Sequence, residues 1–359
     1  MEILSVGIDI GTTTTQLIFS RLVIENKASA FTVPHISIIS KEIIYRSAIY
    51  FTPFINATDI DGDGILQLVR DEFASAGLTP EQISTGAVII TGEAARKQNA
   101  DIVLGKLSSF AGQFVVSTAG PDLESIIAGK GSGACAYSDA HSCSTVNVDI
   151  GGGTTNIATY SNGEATSYCC LDIGGRQVRL DANGNIEYIS PSAQEIANSI
   201  GLTLQIGQLA NTELLTPLTD CMADLIYHQL FDDADCPLLE RIRTRGSSPF
   251  QRPQQKPVVF LSGGVADCVF APVGADFPFS DIGVLLGRSL RNSRLFREAQ
   301  IDHSLETLRA TVVGAGVHLV SISGSTITFT HGLLPLRDLP VVKLTDEEMR
   351  RWRQGDDDY

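Results

Sequence analysis

The sequence has no long run of lysine and arginine, and its 26 basic residues are outnumbered by 41 acidic ones, giving a formal net charge of −15. A field of that sign repels a phosphodiester backbone, so nucleic acid is a poor partner. Long apolar runs are missing as well. The best stretch, Thr311 to Ile322, is broken by Gly314, Gly316 and His318 and falls short of the ~18 residues a membrane span needs. Residues Met1 to Gly11 have neither the basic nor the apolar region of a secretory signal. Seven cysteines contain no C-x-x-C pair, and six histidines show no H-E-x-x-H spacing, which argues against zinc and dithiol chemistry. A soluble chain in the reducing cytoplasm is the expectation.

Two common nucleotide signatures are absent too. The first glycine turn fits neither G-x-x-x-x-G-K-[ST] nor G-x-G-x-x-G, and a strand rather than a helix follows it. What is present is a chain of 359 residues with 43% hydrophobic and 19% charged side chains, enough for about two domains of ~150 residues. Ile3 to Ile10 reads as a buried strand. It ends in Gly11-Thr12-Thr13-Thr14-Thr15 and resumes as Gln16-Leu17-Ile18-Phe19, so the unit is a hairpin.

The unit recurs 140 residues later. Thr145 to Ile150 runs into Gly151-Gly152-Gly153-Thr154-Thr155-Asn156 and out through Ile157-Ala158-Thr159-Tyr160. Repetition of a hairpin with an aspartate before its glycine turn (Asp9, then Asp149) predicts two duplicated α/β domains sharing one cleft. Helices are expected at Gly62–Ala76, Gly120–Ala128, Pro217–Leu230 and Ala310–Gly316. Buried strands are expected at Ala87–Thr91 and Pro257–Ser262, and an Asn-Gly turn joins Gln177–Leu180 to Ile186–Ile189. Domain limits follow as 1–143 and 144–340, with a polar acidic tail over 341–359.

Glycine lets backbone amides approach an anion closely, and the hydroxyls of Thr12, Thr13, Thr14, Thr154 and Thr155 add donors. Asp9 and Asp149 suit Mg²⁺, a hard cation that takes one or two carboxylates and completes its shell with phosphate oxygens and water. Gly11, Gly151, Gly152 and Gly153 would cradle the phosphates. The strand-to-turn run Ser262-Gly263-Gly264-Val265 offers backbone on which a purine could stack. Small residues in the Pro121 and Ala310 helices would let the two cross closely, as at a hinge; ordinary tight packing predicts the same pattern.

The order of these parts resembles the five-part signature of the actin, heat-shock-chaperone and sugar-kinase ATPase superfamily. Within it, the runs Leu4 to Gln16, Ile90-Thr91-Gly92-Glu93, Ala119-Gly120-Pro121 with Leu123-Glu124-Ser125, Arg309 to Val312 and Ser321 to Ile327 are similar to the reactivating factors of ethanolamine ammonia-lyase. The resemblance implies a duplicated actin-like (ribonuclease H-like) α/β fold flanking a nucleotide cleft. It implies ATP and Mg²⁺ as cofactors and a chaperone activity that exchanges damaged cobalamin on an adenosylcobalamin-dependent lyase. The partner would be ethanolamine ammonia-lyase and the setting the cytoplasm, near the microcompartment of that pathway. Glu124 and Glu93 are the carboxylates expected to orient the attacking water. Heat-shock chaperones carry a glutamate where this chain has Gly120, which argues against rapid hydrolysis but not against ATP binding. Family members continue into a further C-terminal α/β segment, so the chain is expected to be shorter than they are. A small-molecule kinase and an actin-like filament protein are the rival readings on the same fold.

Other motifs are weaker. Asp59-Ile60-Asp61-Gly62-Asp63-Gly64 opens like a calcium loop, yet its twelfth position is Arg70, and helix capping accounts for it better. Asp172-Ile173-Gly174-Gly175-Arg176 lacks hydroxyls and reads as a structural corner. Asp139-Ala140-His141 starts a corrinoid-binding run that Ser144 fails to close, which argues against direct cobalamin ligation. Cys169-Cys170 reads as strand packing.

Overall fold

The computed structural model describes residues 2–318 apart from 12–13, 27–35, 57–58, 112–114, 119, 272–273, 303, 305 and 308. Its first half contains β1 (Glu2–Ile10), β2 (Thr14–Asn26), β3 (Ile36–Arg46), β4 (Tyr50–Phe51), α1 (Gly62–Ala76), β5 (Thr85–Ile90), α2 (Ala100–Ala111) and β6 (Val115–Thr118). Two helices, α3 (Pro121–Gly131) and α4 (Ala134–His141), lead to β7 (Ser144–Ile150), β8 (Thr155–Ser161), β9 (Glu164–Leu171), β10 (Val178–Leu180) and β11 (Ile186–Ile189). There follow α5 (Pro191–Ser199), α6 (Thr212–Phe231), α7 (Pro237–Arg241), β12 (Val258–Ser262), α8 (Gly264–Phe270), α9 (Gly283–Asn292), α10 (Arg294–Glu298), β13 (Gln300–Asp302) and α11 (Ala310–His318).

The two main sheets repeat one plan. In the first the order is β3-β2-β1-β5-β6, with β1 antiparallel to β2 and parallel to β5. In the second it is β9-β8-β7-β12-β13, with β7 antiparallel to β8 and parallel to β12. The central strands β1 and β7 are buried on both faces, β1 with an apolar run broken by Ser5 and Asp9, and β7 with Thr145, Asn147 and Asp149 alternating with Val146, Val148 and Ile150. Each sheet has its own core, built on Val6, Ile8, Leu17 and Phe19 in the first and on Val148, Ile150, Ile157 and Leu261 in the second. The duplicated α/β architecture expected from the repeated hairpin is borne out.

The chain changes partners between the sheets. Helix α3 leaves the first sheet yet packs on β7, β8 and β9, whereas α11 follows the second sheet and packs back on β1, β2 and β5. The two helices cross each other on the way. Ile127 of α3 and Ala315 of α11 share a small apolar cluster with Ala87 and Ile89 of the first sheet. Both sheets are thereby fastened through one helix pair.

Local signals account for most boundaries. Asp61 Oδ1 accepts the Gly64 amide at 2.9 Å and starts α1, and Gly77, at φ 66°, ends it. The calcium-like run is thus a helix cap. The helix expected from Pro217 begins five residues earlier, because Asn211 Oδ1 accepts the Leu214 amide at 2.8 Å and sets the start of α6 at Thr212. Pro217 then lies inside the helix, where its ring removes one backbone bond. The polar stretch after Asp232 contains the short helix α7. No described helix is long and apolar enough to cross a membrane. The expected tail over 341–359 lies outside the described residues.

Candidate functional site

The ends of the two hairpins are built alike. In the first, Asp9 stands opposite Gln16 and Ile10 opposite Thr15, and the Gly11 amide donates to Thr14 O at 2.9 Å. In the second, Asp149 stands opposite Asn156 and Ile150 opposite Thr155, and the Gly151 amide donates to Thr154 O, also at 2.9 Å. Each turn is braced from outside its hairpin. Thr52 Oγ1 donates to Gly11 O at 2.8 Å. The Gly175 and Arg176 amides donate to Gly151 O and Gly152 O at 3.0 and 2.7 Å, and Gln177 Nε2 donates to Gly153 O. With its carbonyls held from behind, the Gly151–Gly153 turn is rigid backbone, and the expected Gly174-Gly175 corner is the brace. A Cβ on Gly174 would stand 2.4 Å from Gly152 O, so only glycine allows this approach.

Three carboxyl groups meet where the hairpins end. Asp9 and Asp149 are buried, and Glu124, in the first turn of α3, is half-buried. Burial, opposed by hydrogen bonds from Thr91 and Gln16 and reinforced by the charge of Asp149, pushes the Asp9 pKa up to about 7. Burial together with the charges of Asp9 and Asp149 pushes Glu124 up to about 8. Burial raises Asp149 to about 6 against the bond from Ser262. Thr91 Oγ1 donates to Asp9 Oδ1 at 3.1 Å, Ser262 Oγ to Asp149 Oδ2 at 2.5 Å, and the Gly92 amide to Glu124 Oε2 at 3.4 Å. Asp9 and Asp149, 140 residues apart in sequence, are therefore close enough for one charge to act on the other.

Among the described residues no cationic side chain enters the balance at any of the three. Buried carboxylates are ordinarily neutralised by a partner, by a proton or by a metal. This donor set fits Mg²⁺: all oxygen, two aspartates from opposite hairpins, and no competing nitrogen or sulfur. Among the described residues no group of three His, Cys, Asp or Glu side chains is placed to hold a metal ion. An ion held here would draw the rest of its shell from phosphate oxygens and water, as Mg²⁺ ordinarily does.

Of the other residues singled out in the sequence, Gly11, Thr14, Gly151, Gly152, Gly153 and Thr154 lie at the two turns and are partly exposed. Thr12 and Thr13 lie outside the described residues. Thr155 is buried and donates to Ile173 O at 2.8 Å. Ser262 is spent on Asp149, and its hydroxyl also receives Asn147 Nδ2 at 3.0 Å. Gly263, at φ 87°, packs on Ile150 and gives its amide to Thr307 O, while Gly264 opens α8. Val265 is buried against Gly175 and Gly283. Glu93 is in the 3-10 turn Gly92–Arg96, and its side chain lies outside the described residues. Asp122, the other acidic residue at the start of α3, is engaged by the Ser248 amide and hydroxyl at 3.0 and 2.6 Å. Sequence reasoning missed Thr91, Gln16 and Asn156. The last two carry a signal in hindsight, a carboxamide seven residues after each aspartate.

The model of the ethanolamine utilisation protein EutA family matches residues 1–355. The chain is 40% identical over 357 residues to the ethanolamine ammonia-lyase reactivase EutA of Salmonella typhimurium strain LT2, covering 99% of this chain and 76% of that one. It is 39% identical over the same length to the protein of that name from Escherichia coli K12, with the same coverage. Among solved structures, ethanolamine utilisation protein EutJ from Carboxydothermus hydrogenoformans aligns at a TM-score of 0.41 and 16% identity, over 88% of this chain and 89% of that one. With two duplicated sheets, paired aspartate hairpins and a family match over nearly its whole length, this chain belongs to the EutA family of ethanolamine utilisation proteins.

Proposed function

We propose that the chain is an ATP-dependent reactivase of ethanolamine ammonia-lyase, binding Mg-ATP between its two hairpins and using the nucleotide to govern its grip on the lyase. The observation that carries the reading is 40% identity over 357 residues to a reactivase, together with three neighbouring carboxyl groups at the hairpin ends that no cation among the described residues balances. Asp9 and Asp149 would hold the metal, which when bound neutralises developing charge on the phosphates. The amides of Gly152 and Gly153, with the hydroxyls of Thr14 and Thr154, would cradle the phosphates, while the Gly11 and Gly151 amides close their own turns and hold that backbone in place. Glu124 would orient the attacking water, and the bond from the Gly92 amide holds its carboxyl in place. Glu93 and the Ser262–Val265 turn are secondary candidates for the water and the purine. Hydrolysis is expected to be slow, because phosphoryl transfer depends on positioning and Gly120 stands where heat-shock chaperones carry a glutamate.

Reactivation is an exchange problem. A cofactor held at nanomolar affinity lies ~12 kcal/mol down and leaves slowly. A partner that binds the lyase's open conformation better than its closed one shifts the balance by that preference alone, and moving it from 1:99 to 99:1 takes about 5.5 kcal/mol. Nucleotide turnover, by opening and closing the lobes about α3 and α11, would switch the preference off and free the partner. The work belongs in the cytoplasm, beside the ethanolamine-utilisation compartment. The test mixes the protein with lyase blocked by a cobalamin that lacks its adenosyl group. Activity should return only with ATP, Mg²⁺ and free adenosylcobalamin together. ATP binding without recovery of any lyase would overturn the partner assignment and leave the nucleotide site standing.

A further inference from the structure

Gln177 and Ser190 are both buried behind the Gly151–Gly153 turn. Gln177 precedes β10 and Ser190 follows β11. The Ser190 amide donates to Gln177 O at 2.8 Å, which carries the pairing of the two strands one step further and sets the two residues side by side. The chemistry of their contacts leaves one arrangement. Gly153 O can only accept, so the end of the carboxamide that faces it is Nε2. Oε1 then faces Ser190 and accepts its hydroxyl proton. The Ser190 oxygen in turn caps α5, accepting the Ala193 amide at 3.0 Å.

This row of bonds fixes the direction of a peptide. In a trans peptide unit the carbonyl and the following N–H point opposite ways. Gly151 O, Gly152 O and Gly153 O are all drawn towards residues 175–177, so the amides of Gly152, Gly153 and Thr154 all point away from that brace. None of these three amides has a hydrogen-bond partner among the described residues, and the turn is partly exposed. Three successive amides on one open side make a concave anion site. Backbone amides hold the first two carbonyls, whereas a side chain alone holds the third. Gly153 has open space where a Cβ would be, so its peptide turns over readily once released.

We infer that Gln177, oriented by Ser190, is a positioning residue for the nucleotide, given the phosphate-binding role proposed above for this turn: it sets the Gly153–Thr154 peptide so that the Thr154 amide completes the row facing the phosphates. A glutamate in place of Gln177 would turn an oxygen towards Gly153 O and reverse that preference. Without the Ser190 hydroxyl, the carboxamide loses the contact that tells its two ends apart.

The experiment measures ATP affinity with Mg²⁺, and melting temperature, on the full chain for wild type, Gln177→Met, Ser190→Gly, Ser190→Thr and the Gln177→Met/Ser190→Gly double variant. Methionine keeps the bulk of glutamine without its donor. Glycine is tolerated at an N-cap, so Ser190→Gly removes the donated proton at little cost to α5, and Ser190→Thr keeps the hydroxyl. Expected is a loss of ATP affinity of about 10-fold for Gln177→Met and about 5-fold for Ser190→Gly, with wild-type affinity for Ser190→Thr. The double variant should lose no more than Gln177→Met alone, because Ser190 acts through Gln177. Losses that multiply in the double variant, or an equal loss in Ser190→Thr, would overturn the inference. So would a lower melting temperature with ATP affinity intact, the mark of a merely structural pair. Should Gln177→Met fail to fold, the two Ser190 variants decide between these outcomes. If wild type binds ATP and Ser190→Gly binds it as tightly, this inference alone falls. If wild type binds no ATP, the nucleotide reading falls and takes this inference with it.

Discussion

Gly131 of α3 and Gly314 of α11 meet backbone to backbone: a Cβ on Gly131 would stand 1.7 Å from Ala310 O, and one on Gly314 would stand 1.9 Å from Ile127 O. No rotamer relieves a clash with a main-chain carbonyl, so the helices would have to separate, and with them the fastening between the sheets. Gly131→Ala and Gly314→Ala should each cost about 3 kcal/mol or more. Gly105, within α2, has open space at its Cβ position, and Gly105→Ala should stabilise by about 1 kcal/mol through helix propensity. Thermal melting of the three variants checks both signs.

Asp9 carries a pH signature. With its pKa raised from 3.8 to about 7, the folded chain keeps a proton that the unfolded chain releases. The stability this contributes is full below the unfolded value and is lost as pH rises through about 7. Asp9→Asn is neutral at every pH and escapes that loss. Its melting temperature relative to wild type, without metal or nucleotide, should therefore rise between about pH 5 and about pH 8. A flat difference would mean that the carboxyl is not protonated in the folded protein.

Ser262 donates its hydroxyl to Asp149, and the bond between them is 2.5 Å long and buried. Ser262→Ala should destabilise by about 1–3 kcal/mol, as expected for a lost bond to a buried charged group. It should also raise the Asp149 pKa above its present value of about 6, since the hydroxyl favours the ionised form. Metal-dependent ATP binding would then need a higher pH than in wild type, which titrations across the neutral range would detect.

Gly174 has an ordinary backbone conformation, and its constraint is purely one of space, with Gly152 O 2.4 Å from where a Cβ would be. Gly174→Ala should displace the Gly151–Gly153 turn and weaken ATP binding by at least about 10-fold, the loss of one charge-assisted bond. The hydrophobic core nearby is untouched, so far-ultraviolet circular dichroism should stay native-like.

How much of this was legible in the sequence follows from how local each feature is. The hairpins, the α1 boundaries and the Asn-Gly turn are written in contiguous residues, and Gly62–Ala76 matches α1 at both ends. The start of α6 was missed because Pro217 is the louder signal, whereas the Asn211 cap that decides the boundary is one modest side chain. Asp9 and Asp149 were legible because duplication repeats them at one offset. Thr91 and Asn156 were not, because their meaning depends on strand neighbours brought in from 82 residues away and on a helix packed across the lobes. The bond from Ser262 to Asp149 was not legible for a related reason. A serine before two glycines looks like part of a ligand turn, and only the parallel pairing of β12 with β7 sets it opposite Asp149.

The central claim is that one metal-bound triphosphate is clasped by aspartates from both hairpins. Calorimetric titration of ATP with and without Mg²⁺ into wild type, Asp9→Asn and Asp149→Asn measures it directly. Wild type should bind far more tightly with Mg²⁺ than without, and releasing protons as the carboxyls ionise should make the heat depend on the buffer. Either substitution alone should erase most of the Mg²⁺ enhancement. Retention of the full enhancement by either variant would contradict a shared site.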